Sequence, residues 1–478
     1  MSSVSATARS ATGGSVRGVL PVVLAGAFVT QLDFFIVNVA MPSLKADLHA
    51  NWAATQWVAT GYGLALACFL ITAGRLGDLY GLRRVFVIGM VVFTLSSAAC
   101  GLAPTIEVLL AARVVQGVAA AIVVPQVLGI VTTTYNGPSR ARAFTAYGLA
   151  IGLAAVFGQL IGGALISVDV AGLGWRAIFL INVPIGLLTS VLAPRVVPEC
   201  RGTGRARLDL GGVALATVGL LAIMVTMVEG RQEGWPPWTV YGLVVGVALL
   251  GGFVAYQRWF AARGGIPLVS LGLLRHRSFG VGLGIALFYM AAMGSFFFIF
   301  AMYLQQGRRL SALDSGLLVG FGGVAYLAAS LVAGRLMAKA GARLLAVGGV
   351  LVAIGYGLLA VGTHGGSVAW LLPGLFVAGA GMGTVQAPMS AAVLADVPTP
   401  QAGSASGVLA TTQQVGNALG VAVVCIVFLG VLGVNPPPTG YPEALQEGLQ
   451  PLIAFCLVVA VLAQLLSKPR HTSGSLLK

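Results

Sequence analysis

Charge is what this sequence has least of: 8% of its 478 residues are Asp, Glu, Lys or Arg, against 58% apolar. A soluble domain carries about a quarter charged residues, and a water-facing surface needs roughly 25–35%. The supply cannot cover a globule of this size, so a soluble enzyme or a nucleic-acid-binding protein is excluded. Lysine is scarcer still: Lys45, Lys339, Lys468 and Lys478, none preceded by glycine. A phosphate-binding P-loop ends in Gly-Lys, so ATP-driven transport within this chain is unsupported. The four histidines, His49, His276, His364 and His471, fall in loops or tails, and no HExxH or Cys/His cluster occurs. Neither a metal site nor any cofactor is expected. Cys68, Cys100, Cys200, Cys425 and Cys456 include no CxxC pair, and four lie in apolar runs. That argues against a disulfide framework or a metal cluster.

What is present is apolar length. Mean hydropathy is +0.96, and a membrane-crossing helix needs about 20 apolar residues. Fourteen such runs are expected, at 18–41, 53–73, 84–104, 108–132, 143–167, 176–194, 210–228, 240–261, 279–304, 314–337, 343–363, 368–393, 403–432 and 449–467. Ala25-Gly26-Ala27 faintly resembles a signal-peptidase site, but the run continues past it, so the first span is read as uncleaved. With the amino terminus in the cytoplasm, 21 of the 27 Lys and Arg residues fall on the inner side. Five fall outside, and Arg113 alone lies well inside a run. This is the positive-inside bias, and it predicts fourteen spans in the cell membrane with both termini cytoplasmic. Trp52, Trp57, Trp175, Trp235, Trp238 and Trp370 are placed at outer helix ends and Trp259 at an inner end, as an interfacial belt.

The chain also repeats itself. Gly74-Arg75-Leu76, Gly81 and Arg83 recur as Gly334-Arg335-Leu336, Gly341 and Arg343, eight helices later. An even offset gives two halves of the same orientation, the arrangement of transporters that rock about a central site. The expected plan is a cytoplasmic tail (1–17), a six-helix half (18–194) and an inner loop with two extra helices (195–261). A cytoplasmic connector (262–278), a second six-helix half (279–467) and a cytoplasmic tail (468–478) follow.

At these residues the chain becomes recognisable. Gly74-Arg75-Leu76-Gly77-Asp78-Leu79-Tyr80-Gly81-Leu82-Arg83-Arg84 resembles the helix 2–3 loop signature of the major facilitator superfamily. Leu32 to Pro42, with Asp33 and Asn38, resembles the helix 1 motif of its drug:proton antiporters, and Arg113-Val114-Val115-Gln116-Gly117 their helix 4 motif. Trp175-Arg176 with Phe179, Asn182 and Pro184 is similar to the helix 6 entry of the fourteen-spanner branch. The resemblance implies an all-α membrane fold of six, two and six helices. It also implies export of small apolar or cationic compounds in exchange for protons, the alternative being proton-coupled export of a native metabolite or siderophore. It makes Gly74, Arg75, Gly77, Asp78, Gly81, Arg83 and Arg84 a gating loop rather than substrate ligands. There is one departure. The branch's helix 5 signature reads Gly-Pro-x-x-Gly-Gly, whereas this chain has Gly158-Gln159-Leu160-Ile161-Gly162-Gly163, so Gln159 replaces the proline.

Read residue by residue, Asp33 is the one acid well inside a run and Arg113 the one cation. A charged Asp at mid-helix costs about 2.5–3.5 kcal/mol on insertion scales, so Asp33 is read as a proton-carrying residue. At 1.5 Å per residue, Asp33 lies ~12 Å and Arg113 ~10 Å below the outer face. Either they pair directly or both line one cavity. An Arg113 that approached or withdrew would change how firmly Asp33 holds a proton. Glu229, near the outer end of the seventh run, is a candidate second acid. Asn38, Gln116, Tyr289, Phe296, Gln386, Gln413 and Asn417 are candidate linings of a substrate cavity. The expected partners are a small-molecule substrate, protons and the lipid bilayer, without nucleic acid, the protein being a monomer. A receptor or channel without coupling is the rival reading. A membrane enzyme lacks a nucleophile–base set.

Overall fold

The computed structural model describes residues 16–50, 52–169, 172–199, 209–232, 236–263, 265, 272–273, 276–365, 367–398, 401–432 and 438–467. Every regular element among them is helical. In lipid the backbone has no water to bond, and a helix satisfies each N–H and C=O within its own segment. The first half comprises α1 (Val16–Asp47), α2 (Trp52–Tyr80), α3 (Leu82–Gly101), α4 (Ile106–Thr134), α5 (Gly137–Val168), α6 (Ala177–Leu180) and α7 (Asn182–Val196). Then come α8 (Leu210–Gln232) and α9 (Trp238–Ala262). The second half comprises α10 (Arg277–Met302), α11 (Ala312–Ala340), α12 (Arg343–Gly362), α13 (Leu372–Val393), α14 (Ala402–Leu432) and α15 (Tyr441–Ser467).

Among the described residues, twelve segments are long and apolar enough to cross a membrane, or thirteen if the bent α5 is one span. The expected fourteen is therefore met only in part. Within α8 the apolar stretch among the described residues is Leu210–Ile223, the side chain of Met224 lying outside them. The sixth crossing is one segment, Gly174–Val196, interrupted between α6 and α7. Pro184 explains the interruption: it has no N–H for the Leu180 carbonyl, and its ring crowds that turn. α5 bends by 43° between Gly137–Ala155 and Leu160–Val168, where the proline of the resembled motif is replaced.

The repeat in sequence is a repeat in packing. α1 lies on α5, α2 and α3 on α4, and α3 on α7; correspondingly α10 lies on α14, α11 and α12 on α13, and α12 on α15. Gly81 and Gly341 occupy the same turn in the two copies, at φ 102° and 55°. Positive φ suits a residue without a Cβ, which accounts for glycine recurring there. The halves meet where α2 and α4 touch α14 and where α5 touches α11 and α13. α8 and α9 form a hairpin outside the repeat that leans on α2 and α14. The tryptophans divide. Trp238, Trp259 and Trp370 are exposed at helix ends, but Trp175, expected in the interfacial belt, is 2% exposed. It turns inward because its Nε1 donates to Asp47 Oδ2 at 3.0 Å. Trp235 and the side chain of Trp52 lie outside the described residues.

Candidate functional site: a buried ion pair and an apolar cavity

Asp33 stands midway along α1 and Arg113 in the first half of α4, and neither has any exposed surface. The two pair directly: Arg113 Nη1 donates to Asp33 Oδ2 at 2.5 Å. Their other partners come from α2, α4 and α7. Arg113 Nε donates to the Val58 carbonyl of α2 at 2.9 Å, and Arg113 Nη1 to Gln116 Oε1 at 2.9 Å. Asp33 Oδ1 accepts Gln116 Nε2 at 3.1 Å and Asn182 Nδ2 at 2.7 Å. Asn182 Nδ2 also donates to Ser97 Oγ at 3.1 Å, whose hydroxyl donates to the Phe179 carbonyl at 2.9 Å. The guanidinium lies 4.3 Å over the Tyr62 ring and 5.5 Å over that of Phe179, a cation–π cage for a charge withdrawn from water. A buried ion pair holds only when its remaining donors and acceptors are satisfied. Here two groups are not: Arg113 Nη2 and Asn182 Oδ1 have no hydrogen-bond partner among the described residues.

Sequence reasoning named Asp33 and Arg113 from their chemistry and Gln116 only as a motif residue and candidate cavity lining. It reached Asn182 only through resemblance, and it missed Tyr62, Ser97 and Cys100. The break before Pro184 is what delivers Asn182. It starts a new helix there, at the level of Asp33, although 149 residues separate the two in sequence.

In the second half lies a small apolar cavity of about 30 Å³, which α5 of the first half also borders. Met293, Phe296 and Phe297 of α10, Tyr326 of α11, Met382 of α13 and Gly152 of α5 are among its lining residues. The Phe35 and Phe297 rings, 6.2 Å between centroids, join the Asp33 helix to the cavity wall. Of the expected lining residues, Phe296 is present. Tyr289 is buried, donating to the Met382 carbonyl at 3.0 Å. Gln116 belongs to the ion-pair cluster. Gln386 is buried in α13, Asn417 Nδ2 donates to Gln414 Oε1 at 3.0 Å, and Gln413 is half-buried on α14. The side chains of Asn38 and Gln159 lie outside the described residues.

The loop after α2 sits at the basic end of the bundle. Arg75 Nη1 and Asp78 Oδ2 are 3.8 Å apart. Arg83 and Arg84 converge on Glu199 Oε2 at 3.5 and 3.6 Å, and Arg83 Nη1 also donates to the Pro194 and Val197 carbonyls. Gln126 Nε2 of α4 donates to the Ala73 carbonyl at 2.8 Å, and a Cβ on Gly77 would strike the Gln126 side chain. Gly74 faces α14 so closely that a Cβ on Gly407 would lie 3.2 Å from its Cα. Arg140 Nη2 donates across the halves to the Leu394 carbonyl at 2.7 Å. At this end the two halves are thus in contact along both seams. Of the helix 5 glycines, Gly158 meets Phe35 and Leu32, and Gly162 meets Ile36. Gly163 has only an ordinary contact with Val39. At the opposite end Glu229 Oε1 of α8 accepts Trp57 Nε1 at 2.8 Å. There too Asp47 accepts Trp175 and Arg176, and these hydrogen bonds, Trp175's foremost, hold its carboxyl below the usual carboxylate range.

The family model for the Major Facilitator Superfamily matches residues 23–421. The chain is 39% identical over 419 residues to the "Probable actinorhodin transporter" of Streptomyces coelicolor, covering 87% of this chain and 72% of that one. It is 35% identical to the puromycin resistance protein of Streptomyces alboniger, covering 94% and 90%. It is 33% identical to the cephamycin export protein of Amycolatopsis lactamdurans, covering 97% and 95%. Among solved structures it superposes on a human organic anion transporter with a TM-score of 0.69 at 16% identity, covering 94% of this chain and 99% of that one.

Proposed function

This chain belongs to the major facilitator superfamily, and we propose that it exports small apolar or cationic compounds of the antibiotic type in exchange for protons, by alternating access. The family and the fold point to a membrane transporter rather than an enzyme. Three relatives named for a transporter, a resistance protein and an exporter of antibiotics support the substrate class. The observation that carries the coupling is the wholly buried Asp33–Arg113 pair; Phe35, on the same helix, meets Phe297 in the wall of a small apolar cavity. An acid held at that depth is costly unless it works, and a lining of Met, Phe and Tyr suits ligands of varied shape.

In this reading the protein is a monomer in the cell membrane with fourteen spans in a six, two and six plan. α8 is one of the fourteen, and the basic end with both termini faces the cytoplasm. The loop from Gly74 to Arg84, pressed against Gly407, is the cytoplasmic gate, and Arg140 with the Leu394 carbonyl closes the other seam. Asp33 takes a proton from the outer side and gives it up inside as the halves exchange their open faces.

The test is Asp33→Asn, which keeps shape and removes the titrating proton. In a host stripped of its own pumps the variant is expected to reach the membrane at wild-type level yet confer no resistance. Everted vesicles carrying it should not accumulate the compound when a pH gradient is imposed. Uptake equal to wild type would remove Asp33 from the mechanism.

A further inference from the structure

The accounting of hydrogen bonds around Asp33 leaves two groups without a partner among the described residues, Arg113 Nη2 and Asn182 Oδ1, and the second, an acceptor, is the one placed to respond to a proton. Both Asp33 oxygens are filled by donors: Arg113 Nη1 on Oδ2, and Gln116 Nε2 and Asn182 Nδ2 on Oδ1. An ionised carboxylate only accepts, so this arrangement fits the ionised acid. Once protonated, Asp33 carries an O–H that needs an acceptor in a site without bulk water. Arg113 has none to offer. Gln116 is fixed the wrong way round, because its Oε1 accepts Arg113 Nη1 and the Cys100 thiol; reversed, its amide would aim N–H groups at a guanidinium. The Tyr62 hydroxyl is committed to the Thr30 carbonyl at 2.9 Å. Asn182 remains. Its Oδ1 is buried without a partner, while its Nδ2 stands 2.7 Å from Asp33 Oδ1.

We propose that the Asn182 amide turns over with the protonation of Asp33, presenting its NH2 end to the carboxylate and its carbonyl oxygen to the carboxylic acid. The inference rests on the reading of Asp33 as the proton carrier. A proton arriving from the outer aqueous side bonds to Asp33 Oδ1. A half-turn about the last Asn182 torsion then brings Oδ1 to the place of Nδ2, where it accepts the new O–H. The move has a consequence one bond further on. Ser97 Oγ now accepts Asn182 Nδ2 and donates to the Phe179 carbonyl. Facing an acceptor instead, the hydroxyl swings its hydrogen onto Asn182 Oδ1 and releases Phe179, in α6 just before the break into α7. A proton on α1 is thereby read at a joint in the sixth crossing. Asn182 is a positioning residue in this scheme.

The titratable and charged groups facing Asp33 are Arg113 of α4, Tyr62 of α2 and Cys100 of α3. α5, packed along α1, carries Arg140, Arg142 and Tyr147 near its basic end, and α7 carries Arg195 at its last turn. None of these supplies the missing acceptor: the arginines only donate, and Tyr147 lies with them near the basic end of α5.

The experiment is infrared difference spectroscopy of the full chain in lipid between high and low pH, with asparagine labelled by carbon-13 at its side-chain carbonyl. A carboxyl C=O band that appears at low pH and vanishes in Asp33→Asn is expected. With it should come a label-sensitive Asn amide band, lost in both Asp33→Asn and Asn182→Leu. Ser97→Ala, which leaves both residues in place, should shift that amide band, because a partner is removed in each orientation. A carboxyl band without any Asn band, or an Asn band indifferent to Ser97, overturns the turnover of Asn182. Absence of any band assignable to Asp33 overturns the proton-carrier reading itself, and the inference with it.

Discussion

At the scale of single residues, the guanidinium of Arg113 is defined by its fork. It reaches Asp33, Gln116 and the Val58 carbonyl from one side chain while lying on Tyr62. Lysine offers one compact ammonium and cannot reproduce that geometry. Arg113→Lys is therefore expected to insert normally but to lose at least about tenfold in export rate, the weight of one charge-assisted bond; transport in vesicles measures it. Asp47 gives a prediction in pH. Its folded carboxyl is held below the ordinary value, so its contribution is complete above about pH 4 and is lost as pH falls through the lowered folded value. Its side chain is 47% exposed, so Asp47→Asn should lower stability at neutral pH by only about 0.2–1 kcal/mol. Thermal unfolding in detergent should show the variant and wild type converging as the solution is acidified. What was legible here in the sequence was charge. Asp33 and Arg113 stand out because ionised side chains are rare in apolar runs, and their matching depths follow from helix rise alone. Ser97 and Tyr62 carry no such mark. A neutral polar or aromatic residue in a span has many uses, and only the folded packing of α2, α3, α4 and α7 around α1 selects one.

Among the elements, α5 shows what the sequence could and could not say. Its glycines are spaced for close approach, and the approach is there. A Cβ on Gly162 would lie 2.7 Å from Ile36 Cγ1, and one on Gly152 would fall inside the Tyr326 ring. The partner helices, α1 in one case and α11 of the other half in the other, were not deducible, because small-residue spacing names no neighbour. The bend was not deducible either, since Gln159 stands where a proline would have announced it. Tyr326 both lines the cavity and donates to the Gly148 carbonyl at 2.7 Å, stitching α11 to α5. Gly152→Ala should displace that ring and reduce the amount of folded protein in the membrane by severalfold, overpacking of this kind costing about 1–3 kcal/mol. Tyr326→Ala in the same chain should restore accumulation. If the double variant is as depleted as the single one, the clash does not lie between these two residues.

For the molecule as a whole, the repeated loop and the apolar runs made the two-half plan readable from sequence. The sequence also reads α8 as a crossing, from the apolar run 210–228 that ends at Glu229. Single cysteines in a background without the native five test the crossing. Pro237→Cys should react with an impermeant thiol reagent from the side opposite to Arg195→Cys and Arg263→Cys. Labelling of Pro237 and Arg195 from one side would mean that α8 does not traverse the bilayer. The hairpin it forms with α9 also makes the two seams between the halves unequal. One seam, where α2 meets α14, is backed by α8, which grips both. The other, where α5 meets α11 and α13, has no such backing among the described helices. A body fastened in this way is expected to yield first along its free edge at α5, the hairpin serving as its spine.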